Sequence, residues 1–259
     1  MRIFDCTTFF EEHLMMELRL NILNEYVDKF IIVESKFSHS GKRKSLSFDL
    51  NNYKKFKDKI IYLVIDEEPK DLLKLKNDNN DSSILRLNSI KRLEQSYEYI
   101  KFGLEDAKED DVILLSDNDE IPDLNKFDFS GIENKIYIFE QKIMNYKLNL
   151  FYDLIPWHGS RACKFKMIKS FPWLKNLKNK NYPFWRLDVY FNKLKSMNVK
   201  IISNGGWHFN NLKTAEELYR KLVNQGHHNE FDASKITVEE LQKKIDNEVA
   251  FYNHKADKK

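Results

Sequence analysis

Apolar and polar positions along the chain fall into two kinds of block. One kind is a short, nearly unbroken apolar run; the other is a longer stretch in which apolar residues return every three or four positions. The runs predict strands over 2–4, 29–34 (KFIIVE), 59–65 (KIIYLVI) and 111–116 (DVILLS). The last is read as buried on both faces, because its apolar run has no polar interruption. The periodic stretches predict a helix over 11–26, with Leu14, Leu18, Ile22 and Tyr26 as its core stripe, and another over 82–107 through Leu85, Ile90, Leu93, Tyr97, Ile100 and Leu104. Further along, the pattern predicts a short helix near 49–57 and a strand pair over 135–140 and 144–153. It then predicts an irregular aromatic stretch over 171–184, a strand over 200–203 and closing helices over 214–223 and 237–252. Strands alternating with helices imply an α/β fold: a Rossmann-type mixed, mostly parallel sheet flanked by helices. No repeat or linker interrupts residues 1–253, which read as one domain, and 254–259 read as a frayed tail.

Composition removes several classes. The 35 aromatics (19 Phe, 12 Tyr, 4 Trp) in 259 residues exclude disorder as the global state. Lys and Arg number 43 against 40 Asp and Glu, a net +3, too even for a dedicated nucleic-acid binder. Cys6 and Cys163 are too few for a disulfide framework or a cysteine zinc site. No apolar run approaches the ~18 residues of a membrane span. Acidic residues appear by Asp5 and Glu11, so no signal-peptide core is present. A cytoplasmic protein is expected, in peripheral contact with the inner membrane surface at most. The P-loop, nucleophile-elbow, zincin and dinucleotide fingerprints are all missing.

The sharpest chemistry lies in Ser116-Asp117-Asn118-Asp119-Glu120-Ile121-Pro122. Three carboxylates in four residues follow directly on the buried strand, where open α/β sheets bind ligands. Their mutual repulsion is relieved by a divalent cation, and oxygen ligands suit Mn²⁺ or Mg²⁺. An EF-hand is excluded, since Pro122 stands where that loop needs Gly. The competing reading is a solvated turn capping a helix. Downstream, Thr214 and Glu217 form a capping-box pattern, and Trp173 and Trp185 are expected in the core.

DVILLSDNDEIP, together with FIIVESKFSHSGKRKSLSF (30–48) and GWHFNNLKTAEELYRKLV (206–223), resembles glycosyltransferase family 17. That resemblance implies a GT-A-type fold, with 1–122 as the nucleotide-sugar half and 123–253 as the acceptor-side half. It implies Asp119 as the direct ligand of a Mn²⁺ or Mg²⁺ ion and Asp117 as a ribose or water-mediated partner; His208, after a Gly205-Gly206 pair that lets backbone approach a ligand closely, is read as a third ligand or a diphosphate contact. On the donor side it implies Glu34, Lys42 in a flexible basic loop, Arg86 or Arg92 on the preceding helix, and Trp207. Trp157, His158 and Arg161 are read as an acceptor-side loop. An inverting transfer needs a carboxylate base; Glu216 aligns with the family glutamate, with Glu230 and Asp188 as rivals. The expected partners are a UDP-sugar, UDP-N-acetylglucosamine by preference, and a glycan or glycolipid acceptor. Two other classes stay open: a non-catalytic carbohydrate-binding protein, and a metal-dependent nucleotidyl or phosphoryl transferase.

Overall fold

The computed structural model describes residues 1–74, 82–125, 127–183, 185–224 and 235–249. Its first half is built on four parallel strands. These are β1 (Ile3–Thr8), β2 (Lys29–Ser35), β3 (Ile60–Ile65) and β4 (Val112–Asp117), in the order β3-β2-β1-β4. Helix α1 (His13–Leu23) links β1 to β2, and a 3₁₀ helix (Leu50–Lys59) links β2 to β3. Helix α2 (Ser82–Tyr99), continued by a 3₁₀ turn (Ile100–Gly103), precedes β4.

β1, β2 and β4 are buried on both faces, and alternation divides their side chains between two cores. Phe30, Ile32, Val112 and Leu114 join Met15, Met16, Leu20 and Leu23 of α1 on one side. Ile31, Val33, Ile113 and Leu115 join Tyr97 of α2 with Ile100 and Leu104 on the other.

After β4 the chain makes a short strand β5 (Glu120–Pro122), then an antiparallel pair, β6 (Ile136–Asn145) and β7 (Phe151–Lys164). β7 docks antiparallel on β4, extending the parallel half into a mixed sheet. On its far edge β6 takes β8 (Val199–Ile202) and then β9 (Gly206–Asn210), both parallel, and β9 closes antiparallel on β5. One nine-stranded sheet thus curls so that the segment just after β4 meets a strand from residue 206 onward. Helices α3 (Phe171–Asn176), α4 (Asp188–Phe191), α5 (Ala215–Leu222) and α6 (Val238–Asp246) complete the described chain. The last two bury Leu218, Leu222 and Leu241 with Tyr146 in a small cluster of their own.

Several expectations change. On α1, Leu14 and Ile22 are exposed, and the buried face is Met15, Met16, Arg19, Leu20 and Leu23. A four-residue spacing drifts around a 3.6-residue helix, and the inward turn of a charged arginine hid the true stripe. The predicted strand over 144–153 divides: Met144 and Asn145 end β6, a turn follows with Tyr146 at φ 63°, and β7 begins at Phe151. The stretch over 171–184 is not wholly irregular, since Ser170 caps α3 by accepting from the Trp173 N–H (3.2 Å). Trp185, expected in the core, is exposed.

Candidate active site

In a sheet ordered β3-β2-β1-β4, the chain reverses its direction of winding between β1 and β4, and a crevice opens beyond their carboxyl ends. Thr8, which ends β1, and Asp117, which ends β4, both line a cleft of about 560 Å³. Its apolar lining includes Phe9, Phe10, Val33, Phe37, Ile90 and Leu93. Its polar lining includes Asp117, Asp119, His208, Lys221 and Glu12, and Trp157 faces it too. Helix α2 turns Asn88 and Ser89 inward and leaves Ile90 exposed on the cleft, which is why its apolar pattern is poor here.

The acidic turn is held from below. Arg19, fully buried, makes a two-pronged ion pair with Asp5 of β1. The same guanidinium donates to the carbonyls of Glu120 (2.6 Å) and Asp117 (3.3 Å). A single planar fork therefore fixes β1, α1 and both ends of the turn. Glu120 is buried and has no room for a ligand. It accepts from the Asp117 N–H (2.9 Å), the Trp157 indole N–H (3.0 Å) and the Lys175 ammonium of α3 (2.8 Å). Lys175 also pairs with Asp117 (3.0 Å), whose other oxygen accepts from the Tyr97 hydroxyl (2.6 Å). Burial opposes the charge on Asp117, but Lys175 and Tyr97 outweigh it and hold its pKa down at about 2. For Asp119 burial is the largest effect and raises its pKa, although His208 and Lys221 act in the opposite direction.

Strand pairing delivers the histidine. His208 is the register partner of Glu120, and the Phe209 N–H donates to the Asp119 carbonyl (2.8 Å). The His208 Nε2 then lies 4.0 Å from Asp119 Oδ2. Its ring meets Trp157 edge-on at 4.2 Å between centroids, and its Nδ1 is buried without a hydrogen-bond partner. Alternation sends the neighbouring Trp207 to the other face, where it packs on the core, so it does not line the cleft. The preceding Gly206, at φ 122°, lets two protein backbones meet: a Cβ there would stand 2.2 Å from the Ile121 carbonyl oxygen. The close approach expected for a ligand at this glycine pair is thus an approach to β5.

Helix α5 supplies a cation. The capping box is formed in full, Thr214 accepting from the Glu217 N–H (3.2 Å) and Glu217 from the Thr214 N–H (3.0 Å). Lys221 reaches Glu12 (2.8 Å) and Asp119 (3.6 Å), Lys213 lies 3.7 Å from Glu12, and Arg220 pairs with Glu11 (3.3 Å). Burial works against the Lys221 charge, but Glu12 and Asp119 raise its pKa. Glu216 is five residues, about 140° around the helix, from Lys221, and it is exposed away from the cleft.

Other sequence candidates fall elsewhere. Asp188 sits on α4 outside the cleft, with Arg186 (2.8 Å) and Lys195; the hydrogen bond from Arg186, then that from Lys195, lower its pKa to about 2. Glu230 lies outside the described residues. Glu34 is buried and turned from the cleft, closed by Lys44, the N–H groups of Ser47 (2.9 Å) and Phe48 (3.0 Å), and the Tyr62 hydroxyl (2.8 Å). Lys42 is exposed outside the cleft, whereas Lys44 lines it. The loop around them is ordered by a Phe37–Arg43 bridge, with the Arg92 guanidinium packed against Gly41. Arg92 pairs with Glu68 (2.7 Å) and braces that loop, while Arg86 lines the cleft. Trp157, His158 and Arg161 belong to β7, not to a loop. Trp157 faces the cleft, His158 lies 3.7 Å from Glu140, and buried Arg161 donates to the Gly159 carbonyl (2.7 Å). Sequence reasoning missed Glu12, Arg19 and Lys175, whose only signal was charge inside otherwise helical segments.

The sequence profile of glycosyltransferase family 17 matches residues 1–160, which carry the acidic turn, Glu12 and Trp157. The chain belongs to glycosyltransferase family 17. No curated protein matches it. Among solved structures it is similar to a protein described as a glucose-1-phosphate thymidylyltransferase from Bacillus anthracis, in complex with a sucrose. The identity is 13% over 80% of this chain and 87% of that one, at a TM-score of 0.38, too low a likeness to bear on the fold assignment. The family 17 chain is therefore an enzyme of glycosyl transfer, and among its described residues no helix is long and apolar enough to cross a membrane.

A divalent ion fits this family 17 site on two protein donors. Among the described residues no three His, Cys, Asp or Glu side chains form a ligand cluster. Asp119 Oδ2 and His208 Nε2 nevertheless stand 4.0 Å apart, within reach of one ion with bonds of roughly 2.1 Å. Mg²⁺-type sites take only one or two protein ligands when substrate phosphates supply others.

Proposed function

We propose that this family 17 enzyme moves a sugar from a nucleoside-diphosphate sugar to a hydroxyl of a glycan or glycolipid, with inversion. The observation that carries the reading is one cleft lined both by aromatic and apolar side chains and by Asp119, His208 and Lys221. The apolar lining suits a nucleoside. Lys221, Lys44 and Arg86 suit its diphosphate, and Trp157 offers a flat apolar surface to a sugar ring. Preference for UDP-N-acetylglucosamine, and inversion, follow from the family resemblance rather than from a contact. Asp119 and His208 would hold Mn²⁺ or Mg²⁺, which supplies a Lewis acid for the charge on the departing diphosphate. Arg19 and Lys175 keep the turn in place so that Asp119 faces the cleft.

The base is assigned to Glu12. Glu216 and Asp188 point elsewhere, and Glu12 is the described cleft carboxylate outside the acidic turn. It takes the acceptor hydroxyl's proton as that oxygen bonds to the anomeric carbon and the bond to the diphosphate breaks.

Thermal unfolding with a panel of nucleotide sugars, with and without Mn²⁺, tests the reading. One UDP-sugar should stabilise the protein, by about 2.7 kcal/mol at a hundredfold excess over its dissociation constant, and the Mn²⁺-dependent part should vanish in Asp119→Asn. A protein indifferent to every nucleotide sugar would refute it.

A further inference from the structure

Residues 178–195, Phe184 aside, form a segment stapled across its two ends. The Lys178 N–H donates to the Leu194 carbonyl (2.8 Å), the Tyr182 N–H to that of Ser196 (3.4 Å), and the Trp173 indole N–H to that of Lys193 (2.7 Å). The segment carries three large apolar side chains within seven residues, all turned to solvent: Trp185 (69% exposed), Leu187 (74%) and Phe191 (88%). Apolar side chains standing together in water mark a surface that something covers.

Charge identifies the covering partner. Residues 178–195 hold five cations (Lys178, Lys180, Arg186, Lys193, Lys195) and one carboxylate, Asp188, a surplus of four. The whole chain carries a surplus of only three, so everything outside this segment sums to one negative charge. Lys178, Lys180 and Lys193 are exposed on the same segment. Aromatic and aliphatic side chains set among lysines are what an anionic lipid surface takes up: the rings enter the headgroup boundary while the ammonium groups meet lipid phosphates. A polysaccharide would give the aliphatic Leu187 little in exchange for its hydration, and a second copy of this chain would bring four like charges against four.

We infer that the 178–195 segment is a membrane-docking element for anionic phospholipid, with Trp185, Leu187 and Phe191 inserting and its lysines holding the surface. None of these residues lines the cleft, so the inference stands apart from the choice of donor.

The test is sedimentation of the full chain with vesicles of phosphatidylcholine mixed with phosphatidylglycerol, beside vesicles of phosphatidylcholine alone. Binding is expected to the mixed vesicles, to weaken as salt is raised, and to shift the tryptophan emission to the blue except in Trp185→Phe. The triple variant Trp185→Ser/Leu187→Ser/Phe191→Ser should bind more weakly by about tenfold per side chain removed. Should it fail to fold, Lys178→Glu/Lys180→Glu/Lys193→Glu decides, since exposed substitutions leave the fold intact, and it too should lose binding. No binding by the unaltered chain, equal binding to neutral vesicles, or variants that bind undiminished would overturn the inference. A lipid-free dimer that the apolar variant abolishes would also overturn it, by giving the patch to a second copy.

Discussion

Asp117 and Asp119 stand two positions apart on one turn, yet their neighbours pull them in opposite directions. Lys175 and Tyr97 keep the first ionised and occupied, while burial lifts the second and leaves it facing His208 across the cleft. The acidic triplet was legible as a site, but the division of labour within it was not, because it depends on Lys175, some 55 residues further along the chain. Glu34 shows the same limit. Its place at the end of β2 was legible, but its five hydrogen bonds make it the clasp of the 44–48 segment. Burial works against its charge, and the hydrogen bonds from Lys44, Ser47 and Phe48 outweigh it, so its pKa falls below the usual 4.5. A carboxylate with a depressed folded-state pKa contributes stability above its unfolded pKa and loses it as pH drops through the folded one. Glu34→Gln should therefore flatten the acid limb of stability against pH below 4.5. Urea midpoints across that range check it, and parallel slopes in both proteins would contradict it.

At the scale of elements, local codes were readable and the faces they turn were not. The capping box of α5 was legible because it is written within four residues. Which side of α5 meets the cleft depends on how it docks against Glu11 and Glu12, and there Lys221 turns inward while Glu216 does not. On α1 the buried Arg19 breaks the apolar stripe, and on β7 a mixed run of Trp, His, Gly, Ser and Arg concealed a strand that pairs with both β4 and β6. Because α5 rests on a small cluster with α6, its cap matters more than usual. Thr214→Ala should cost about 1 kcal/mol of local stability. Amide exchange should quicken across α5 and not across β1 or β4, and nucleotide affinity should fall as Lys221 loses its position. Unchanged exchange in α5 would show that the cluster, not the cap, holds the helix.

For the molecule as a whole, the parallel half announced itself. Its inner strands β1, β2 and β4 are buried on both faces and so appear as apolar runs, and the order β3-β2-β1-β4 places a crevice where the acidic turn begins. The second half was less legible because its pairing is non-local: β5 finds β9 across more than eighty residues. Charge is also distributed at this scale, with the positive surplus gathered on one segment and the rest of the surface close to balance.

The closure of β9 and α5 onto β1 and the acidic turn has a consequence for the order of synthesis. A growing polypeptide exposes Asp119 long before His208 and Lys221 have been made. Until they leave the ribosome, the nascent carboxylates of Glu12 and Asp119 have neither their lysine nor their imidazole. Chains stalled with residue 160 just outside the exit tunnel should ignore a nucleotide sugar that chains stalled beyond residue 249 retain, so competence arrives late in translation, in one step rather than by degrees.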